Sequence, residues 1–217
     1  MNTITTSTTP YHESVERLPK EGNHIIGRVT TDHIVVYQAF RNSIADYAVK
    51  HQTFGGNDYS YNRMSWIKTS FLWMMFRSGW AQKEGQERIL AITIRKKDFE
   101  RILAQSAYAS FQRDVYENED EWRQSLQQYE GRLQWDPDHD PFGNTTVRRA
   151  IQLGLKGGML EQFGSTQIVS IEDMTFFVNE QYQYVNNRQL DKLKIPLESV
   201  FVPQDPAIAK KIGLTLL

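Results

Sequence analysis

A run of six apolar residues, FLWMMF at positions 71–76, constrains the fold of this chain more than any other feature. In a helix such a run is apolar on every face, so protein must cover it on all sides. It lies within residues 59–80, which hold seven aromatic side chains together with Arg63, Lys68 and Arg77, and no acid. The segment predicts a core helix, and its cations predict a negatively charged partner or ligand.

Length and composition indicate a single globular domain. The 217 residues are 40% hydrophobic, which is enough for one substantial core. We expect this domain at residues 22–200, after a disordered polar lead-in at 1–21 and before an extended tail at 201–217. A net charge of −1 provides no global field toward nucleic acid or a membrane.

Several classes of function and location are disfavoured by what the sequence lacks. Because there is no cysteine, disulfides, thiolate metal sites and cysteine nucleophiles are excluded. No apolar run reaches the roughly 18 residues that a membrane span requires. The N-terminal residues lack the charged-then-apolar order of a signal peptide. We therefore expect a cytoplasmic protein without a membrane partner.

The local patterns predict an α+β domain with a mixed or antiparallel sheet and packed helices. Strands and helices mix without strict β-α-β alternation, and no glycine-rich phosphate loop follows a strand. Residues 25–29 and 33–39 read as a hairpin, followed by a helix at 42–50 that Asn42 or Ser43 can cap. The two prolines within residues 135–141 predict an irregular loop, and residues 148–163 have helical periodicity.

The cations of residues 59–80 form the first candidate site. Arg63, Lys68 and Arg77 can bind phosphates, and Tyr61 or Trp66 offers a face to a ring. Structural ion pairs are the alternative for these cations. The remaining polar candidates of this first site and of the predicted helix at 148–163 are Asn62, Arg148, Arg149 and Gln152.

Arg148 and Arg149 have two interpretations. At the start of a helix they can receive a phosphate, helped by the positive end of the helix dipole. They can equally bind Asp136 or Asp140. The basic clusters and the acidic loop of a nearly neutral chain can thus be one another's partners.

The acidic loop at 136–140 is the second candidate site. Asp136, Asp138 and Asp140 alternate around His139, and oxygen ligands of this kind suit magnesium, manganese or calcium. His139 can instead act as a general base, since neighbouring carboxylates stabilise its imidazolium form. In the third interpretation the aspartates cap turns and pair with Arg148 or Arg149.

Six motifs resemble a known family. YQAFRNSIADYAV, FGG, YNRMSWIKTSFLWMMFRSGWAQKEGQE, LQWDPDHDP, RRAIQLGL and IVSIEDMT are similar to the DUF4291 family of uncharacterised proteins, over residues 29–178. The resemblance implies no particular activity.

The strand-to-helix passage at 35–41 is also similar to the first strand and helix of ADP-ribosyltransferase-like folds. This likeness implies NAD as the cofactor, Tyr37, Gln38 and Arg41 as ligand contacts, and Glu172 as the completing catalytic acid. The chain departs from that pattern at 37–39, where histidine or arginine followed by glycine is usual in the fold and Tyr37-Gln38-Ala39 stands here.

Three functional hypotheses follow. The first is an enzyme acting on a nucleotide or nucleic acid, including NAD-dependent ADP-ribosyl transfer, with His139 and Glu172 as catalytic residues. The second is a non-catalytic module that binds RNA or a phosphorylated ligand. The third is metal-dependent phosphodiester hydrolysis at the loop 136–140.

Overall fold

The computed structural model describes residues 7–216, in which the chain forms eleven strands and eight helices. The strands are β1 (Thr8–Pro10), β2 (Ile25–Gly27), β3 (His33–Phe40), β4 (Ser65–Lys68), β5 (Arg88–Arg95), β6 (Ser106–Tyr108), β7 (Gly131–His139), β8 (Thr145–Leu155), β9 (Ile168–Asp173), β10 (Lys194–Pro196) and β11 (Ser199–Phe201). The helices are α1 (Tyr11–Arg17), α2 (Asn42–His51), α3 (Phe71–Ser78), α4 (Lys96–Ala104), α5 (Glu119–Gln128), α6 (Gly157–Ser165), α7 (Thr175–Asn186) and α8 (Pro206–Lys211).

One sheet of seven strands organises the fold, in the order β6-β7-β8-β4-β3-β5-β9. Neighbouring strands are antiparallel except β6 and β7, which are parallel, so the sheet is mixed. Two small sheets pair β1 with β10 and β2 with β11. The predicted α+β class is confirmed. None of the helices in the described residues is long and apolar enough to cross a membrane.

The central strand β3 is buried on both faces. Because side chains alternate along a strand, Ile34 and Val36 enter one apolar cluster while Val35 and Tyr37 enter a second. Helices α2, α4 and α6 contribute to the first cluster, and α3 and α7 contribute to the second. The sheet therefore separates two cores, and α3 covers the face that carries Tyr37.

Helix α3 is the core helix that the apolar run predicts. Residues 71–75 are all buried, which confirms the prediction for them, whereas Phe76 is 39% exposed and is an exception. Ser70 caps the helix by accepting a hydrogen bond from the Trp73 N–H, and Gly79 ends it in the left-handed conformation.

The predicted helix at 148–163 is wrong. Residues Thr145–Leu155 form strand β8, and α6 begins only at Gly157. Ile151 and Leu155 are four residues apart, a spacing that fits one helix face and also every second position of a strand. Leu153, between them and equally buried, follows the strand period. Arg148 and Arg149 consequently do not open a helix, and the predicted dipole-assisted phosphate site is not formed.

The prediction of an irregular loop at 135–141 is also wrong, because β7 continues to His139. Strand β6 pairs with β7 only as far as Leu133. Beyond that residue β7 is an edge strand, where proline's missing N–H removes no required ladder bond. The register with β8 shifts between Pro137 and His139, so the proline segment ends in an irregularity.

Three smaller predictions differ from the structure. Strand β2 pairs with β11 rather than β3, and a single bridge from Val29 to Ile34 is all that remains of the predicted hairpin. Arg41 occupies the N-cap position of α2, where no side chain caps the helix. Residues 7–21 of the expected disordered lead-in contain β1 and α1, and the tail that was expected to be extended contains the helix α8. The lead-in residues 1–6 and the final residue 217 lie outside the described part.

Candidate functional site

A cavity of about 460 Å³ lies between β4, the end of β3 and helix α3. We call it the Lys68 pocket. Phe40, Met64 and Met74 contribute apolar walls. Six residues that the sequence singled out as ligand contacts line the same cavity: Gln38, Arg63, Trp66, Lys68, Arg77 and Gln152.

The strand register places Lys68 on the floor of this pocket. Lys68 pairs with Tyr37 on β3 and with Gln152 on β8, so the three side chains leave the same face of the sheet. The residue is only 5% exposed. Its ammonium Nζ donates a long hydrogen bond of 3.4 Å to the Trp66 carbonyl oxygen and lies 5.9 Å from the centroid of the Trp73 ring.

Burial lowers the pKa of Lys68 to about 8, because the charged amine loses hydration. The positive charge of Arg77 lowers this pKa further, and the carboxylate of Asp136 acts in the opposite direction. Lys68 is therefore charged at neutral pH at an energetic cost. A negative ligand beside it would remove much of that cost.

The three cations of the pocket are not neutralised by protein carboxylates. Within residues 7–216, neither Arg63, Lys68 nor Arg77 takes part in an ion pair with an acid. Arg63 and Arg77 are exposed at the rim, above the buried Lys68. The described residues thus provide no carboxylate partners for the alternative in which these cations form structural ion pairs.

Amide side chains organise the floor of the pocket. Gln38 donates from Nε2 to Ser65 Oγ at 2.7 Å and to the Trp66 carbonyl oxygen at 3.2 Å, which leaves its own Oε1 without a hydrogen bond. Gln152 donates to Asp136 Oδ2 at 2.7 Å. The Oε1 of Gln38 is therefore a buried acceptor without a partner, and the cations of the pocket are the donor groups available to a polar ligand.

Asp136 stands behind Gln152 and is held by two amides. Gln134 donates to its second oxygen, also at 2.7 Å. Burial raises the pKa of Asp136, and this effect is opposed by the two glutamine hydrogen bonds and by the charges of Lys68 and Arg149. Asp136 therefore tunes Lys68 through space without neutralising it in a direct ion pair.

Gly154 explains how Trp66 fits against the sheet. The two residues pair across β4 and β8. A Cβ atom at position 154 would stand 3.0 Å from the indole of Trp66 and 2.7 Å from Met64 Sδ, closer than ordinary contacts allow. The missing side chain thus creates the space for the indole that lines the Lys68 pocket.

His139 lies in a different cavity, of about 200 Å³, beside α1. Its ring stacks on Phe76 with centroids 3.5 Å apart and planes at 9°. Burial lowers the pKa of His139, and the nearby carboxylates of residues 138, 140 and 136 oppose that effect. The structure therefore does not bring His139 to the Lys68 pocket.

The carboxylates of the acidic segment have separate partners. Asp138 is fully buried and forms an ion pair of 2.6 Å with Arg148. Asp140 Oδ1 accepts hydrogen bonds of 2.9 Å from the N–H groups of Phe142 and Asn144, so it caps a turn.

The geometry supports the turn-capping and ion-pairing interpretation of this segment over the metal site predicted from Asp136, Asp138 and Asp140. In the part of the chain that the structure describes, no group of three histidine or acidic side chains is arranged to hold a metal ion.

Glu172, the acid expected from the ADP-ribosyltransferase likeness, is separated from Lys68 by two strands. Along one row of the sheet Lys68 pairs with Tyr37, Tyr37 with Ala91, and Ala91 with Glu172. Glu172 Oε2 lies 3.8 Å from Arg28 and does not line the Lys68 pocket. Tyr37 is wholly buried in the core, so its predicted contact with a ligand has no route to solvent.

The other predicted contacts are dispersed. Tyr61 donates to the Phe54 carbonyl oxygen at 2.9 Å and has a packing role. Arg41 and Asn62 are exposed outside the pocket lining. Arg149 lines a separate cavity next to Trp135. These four residues do not converge with Lys68.

One buried acid was not visible in the sequence. Glu198 is 3% exposed, lines the cavity beside α1, and accepts a 2.8 Å hydrogen bond from the Phe71 N–H. Burial raises the pKa of Glu198 to about 8, although the hydrogen bond from Phe71 opposes that effect. Its neighbours in the chain are ordinary, and only the tertiary fold places it at the start of α3.

Sequence comparison identifies the family. A family model described as a domain of unknown function, DUF4291, matches residues 24–201. The chain belongs to the DUF4291 family. No curated protein matches it. The matched range of DUF4291 contains every residue that lines the Lys68 pocket.

Proposed function

We propose that the Lys68 pocket binds a nucleotide, with Arg63, Lys68 and Arg77 on the phosphate groups and Trp66 against the base or another ring. The observation that carries this proposal is the meeting of three cations without carboxylate partners at one cavity. A volume of about 460 Å³ falls within the range of small-molecule sites.

The position of each group suits this role. Arginine at an exposed rim can approach a phosphate in the bidentate geometry of its guanidinium, while the buried lysine acts as a point charge beneath it. The Oε1 of Gln38 is buried without a hydrogen bond, so it would accept one from a ribose hydroxyl or an exocyclic amine if the side chain turned toward the ligand. The indole of Trp66 supplies the apolar face on which a ring can stack.

A panel of ligands tests the proposal and distinguishes its forms. Thermal unfolding is followed with ATP, ADP, AMP, NAD, ADP-ribose and a short single-stranded RNA, since a ligand of the native state raises the melting temperature. Selective stabilisation by NAD or ADP-ribose would favour the ADP-ribosyl transfer chemistry suggested by the fold likeness. Stabilisation by RNA alone, with a steep salt dependence, would favour the RNA-binding module.

Single substitutions test whether the nucleotide binds in this cavity. Arg63→Ala and Arg77→Ala should each weaken nucleotide binding about 10- to 100-fold, the range expected for losing a charge-assisted hydrogen bond. Arg101→Ala is the matched control, because Arg101 is an exposed arginine of α4 outside the pocket. Equal losses in all three variants, or no stabilisation by any ligand, would contradict the proposal.

A further inference from the structure

The surroundings of the Lys68 amine are those of a reactive group. It lies at the floor of an open cavity, its one hydrogen-bond partner is the Trp66 carbonyl oxygen at 3.4 Å, and no acid forms an ion pair with it in residues 7–216. A lysine that serves only as a structural cation normally has a carboxylate partner when it is buried. This amine is instead largely shielded from water, and it lines a cavity that a ligand can enter.

We propose that Lys68 is a nucleophile that forms an imine with a phosphate-bearing aldehyde held in the Lys68 pocket. This inference rests on the proposed function, because the same rim arginines would hold the phosphate. It specifies the ligand as one that carries a carbonyl group, such as the open form of a sugar phosphate.

The charged groups around Lys68 favour its neutral, nucleophilic form. Desolvation by burial lowers the pKa of the amine most, Arg77 on α3 lowers it further, and Asp136 on β7 partly opposes both. Arg63, which precedes β4, adds a further positive group at the rim. With a pKa of about 8, about a quarter of the amine is neutral at pH 7.5, roughly 200 times the fraction of an ordinary lysine.

The reaction balances without another reagent. The neutral Nζ adds to the carbonyl carbon, and a proton moves from nitrogen to oxygen to give a carbinolamine. Loss of water then leaves a carbon–nitrogen double bond in place of the carbonyl, so nothing is oxidised or reduced. Arg63 and Arg77 would fix the phosphate, and Trp66 would pack on the ligand's ring or sugar.

Borohydride trapping tests the inference in the full-length protein. Pyridoxal 5′-phosphate is the probe, and pyridoxal without phosphate is its matched control. After reduction, peptide mapping by mass spectrometry should find Lys68 labelled at least about tenfold faster than exposed lysines such as Lys97. Omitting the phosphate should abolish this preference, and excess ADP should slow the labelling.

Two further ligands identify the source of the aldehyde. Trapping at Lys68 with ribose 5-phosphate assigns the site to free sugar phosphates, and trapping with an abasic single-stranded oligonucleotide assigns it to damaged nucleic acid. The wild-type peptide map decides the question even if a variant fails to fold. Labelling spread evenly over the lysines, or equal at Lys68 with and without the phosphate, would overturn the inference.

The Lys68→Arg variant separates this inference from the proposed function. It retains a cation for nucleotide binding but has no amine that can form an imine. If the wild-type protein binds ADP and shows no trapping at Lys68, the nucleophile is refuted while the nucleotide pocket stands. If trapping occurs without any nucleotide binding, the pocket serves aldehydes and the nucleotide proposal fails.

Discussion

Replacing Lys68 by methionine should stabilise the ligand-free protein at neutral pH. Burial gives this residue a pKa of about 8, against 10.5 for an unperturbed lysine. Since each pKa unit corresponds to about 1.4 kcal/mol, keeping the amine charged in the fold costs about 3 kcal/mol at pH 7. Methionine has a similar length without the charge, so the variant avoids this cost.

The stability gained by Lys68→Met depends on pH, because the folded and unfolded chains bind the Lys68 proton with different affinities. The unfolded chain binds the Lys68 proton more tightly than the folded protein, so the penalty is fully present below about pH 8 and is relieved as the pH rises toward 10.5. The advantage of Lys68→Met should therefore fall from about 3 kcal/mol at pH 7 to about 2 at pH 9, and to less than about 0.5 at pH 10.5.

Urea unfolding at the three pH values, followed by tryptophan fluorescence, measures this difference. Comparing each variant with the wild-type protein removes the contribution of other groups that titrate over the same range. Lys97→Met, at an exposed position of α4, is the control and should show no such pH dependence. If Lys68→Met is less stable than the wild type at pH 7, the amine is satisfied in the fold and our reading of the pocket is incorrect.

Three other substitutions test the surroundings of the site. The raised pKa of Glu198 predicts that the wild-type protein loses stability as the pH rises from about 4.5 to about 8, because the folded protein holds this proton more tightly than the unfolded chain. Glu198→Gln should remove that loss. Unfolding at pH 5 and pH 8 measures the effect, and a stability difference between variant and wild type that does not change with pH would contradict the prediction. Asp138→Asn should cost about 3–5 kcal/mol in urea unfolding because it leaves Arg148, whose side chain is only 14% exposed, without its carboxylate, and the double variant with Arg148→Met should recover part of that loss. Gly154→Ala should destabilise the fold by about 1–3 kcal/mol and weaken ADP binding by displacing Trp66; an unchanged affinity in calorimetry would remove the indole from the site.

The sequence predicted elements where its pattern fits a single period. Strand β3 and helix α3 were both predicted from their apolar residues, and the structure agrees with both except at the exposed Phe76. The pattern of β8 fits two periods, and β7 contains Pro137, which is compatible with a strand only because that stretch is a free edge. Edge position is a property of the assembled sheet and is not encoded in neighbouring residues.

The residues of the candidate site likewise divide into those that a local sequence signal predicts and those that it does not. Arg63, Lys68 and Arg77 were identifiable because cations beside a long apolar run require a partner. Gln38 was predicted from the likeness to ADP-ribosyltransferase-like folds, and Gln152 was predicted as part of a helix. Both line the pocket, but Gln152 reaches it from a strand and not from a helix. The space left by Gly154 and the burial of Glu198 arise from contacts between distant segments, so no local signal reveals them.

The central claim is that the Lys68 pocket binds a phosphate-bearing nucleotide, and a crystal structure of the protein with saturating ADP tests it most directly. We expect a phosphate group within about 3 Å of at least two of the cations Arg63, Lys68 and Arg77, with the adenine or ribose against Trp66. ADP bound in the cavity beside α1, or no ADP in the Lys68 pocket, would contradict the account.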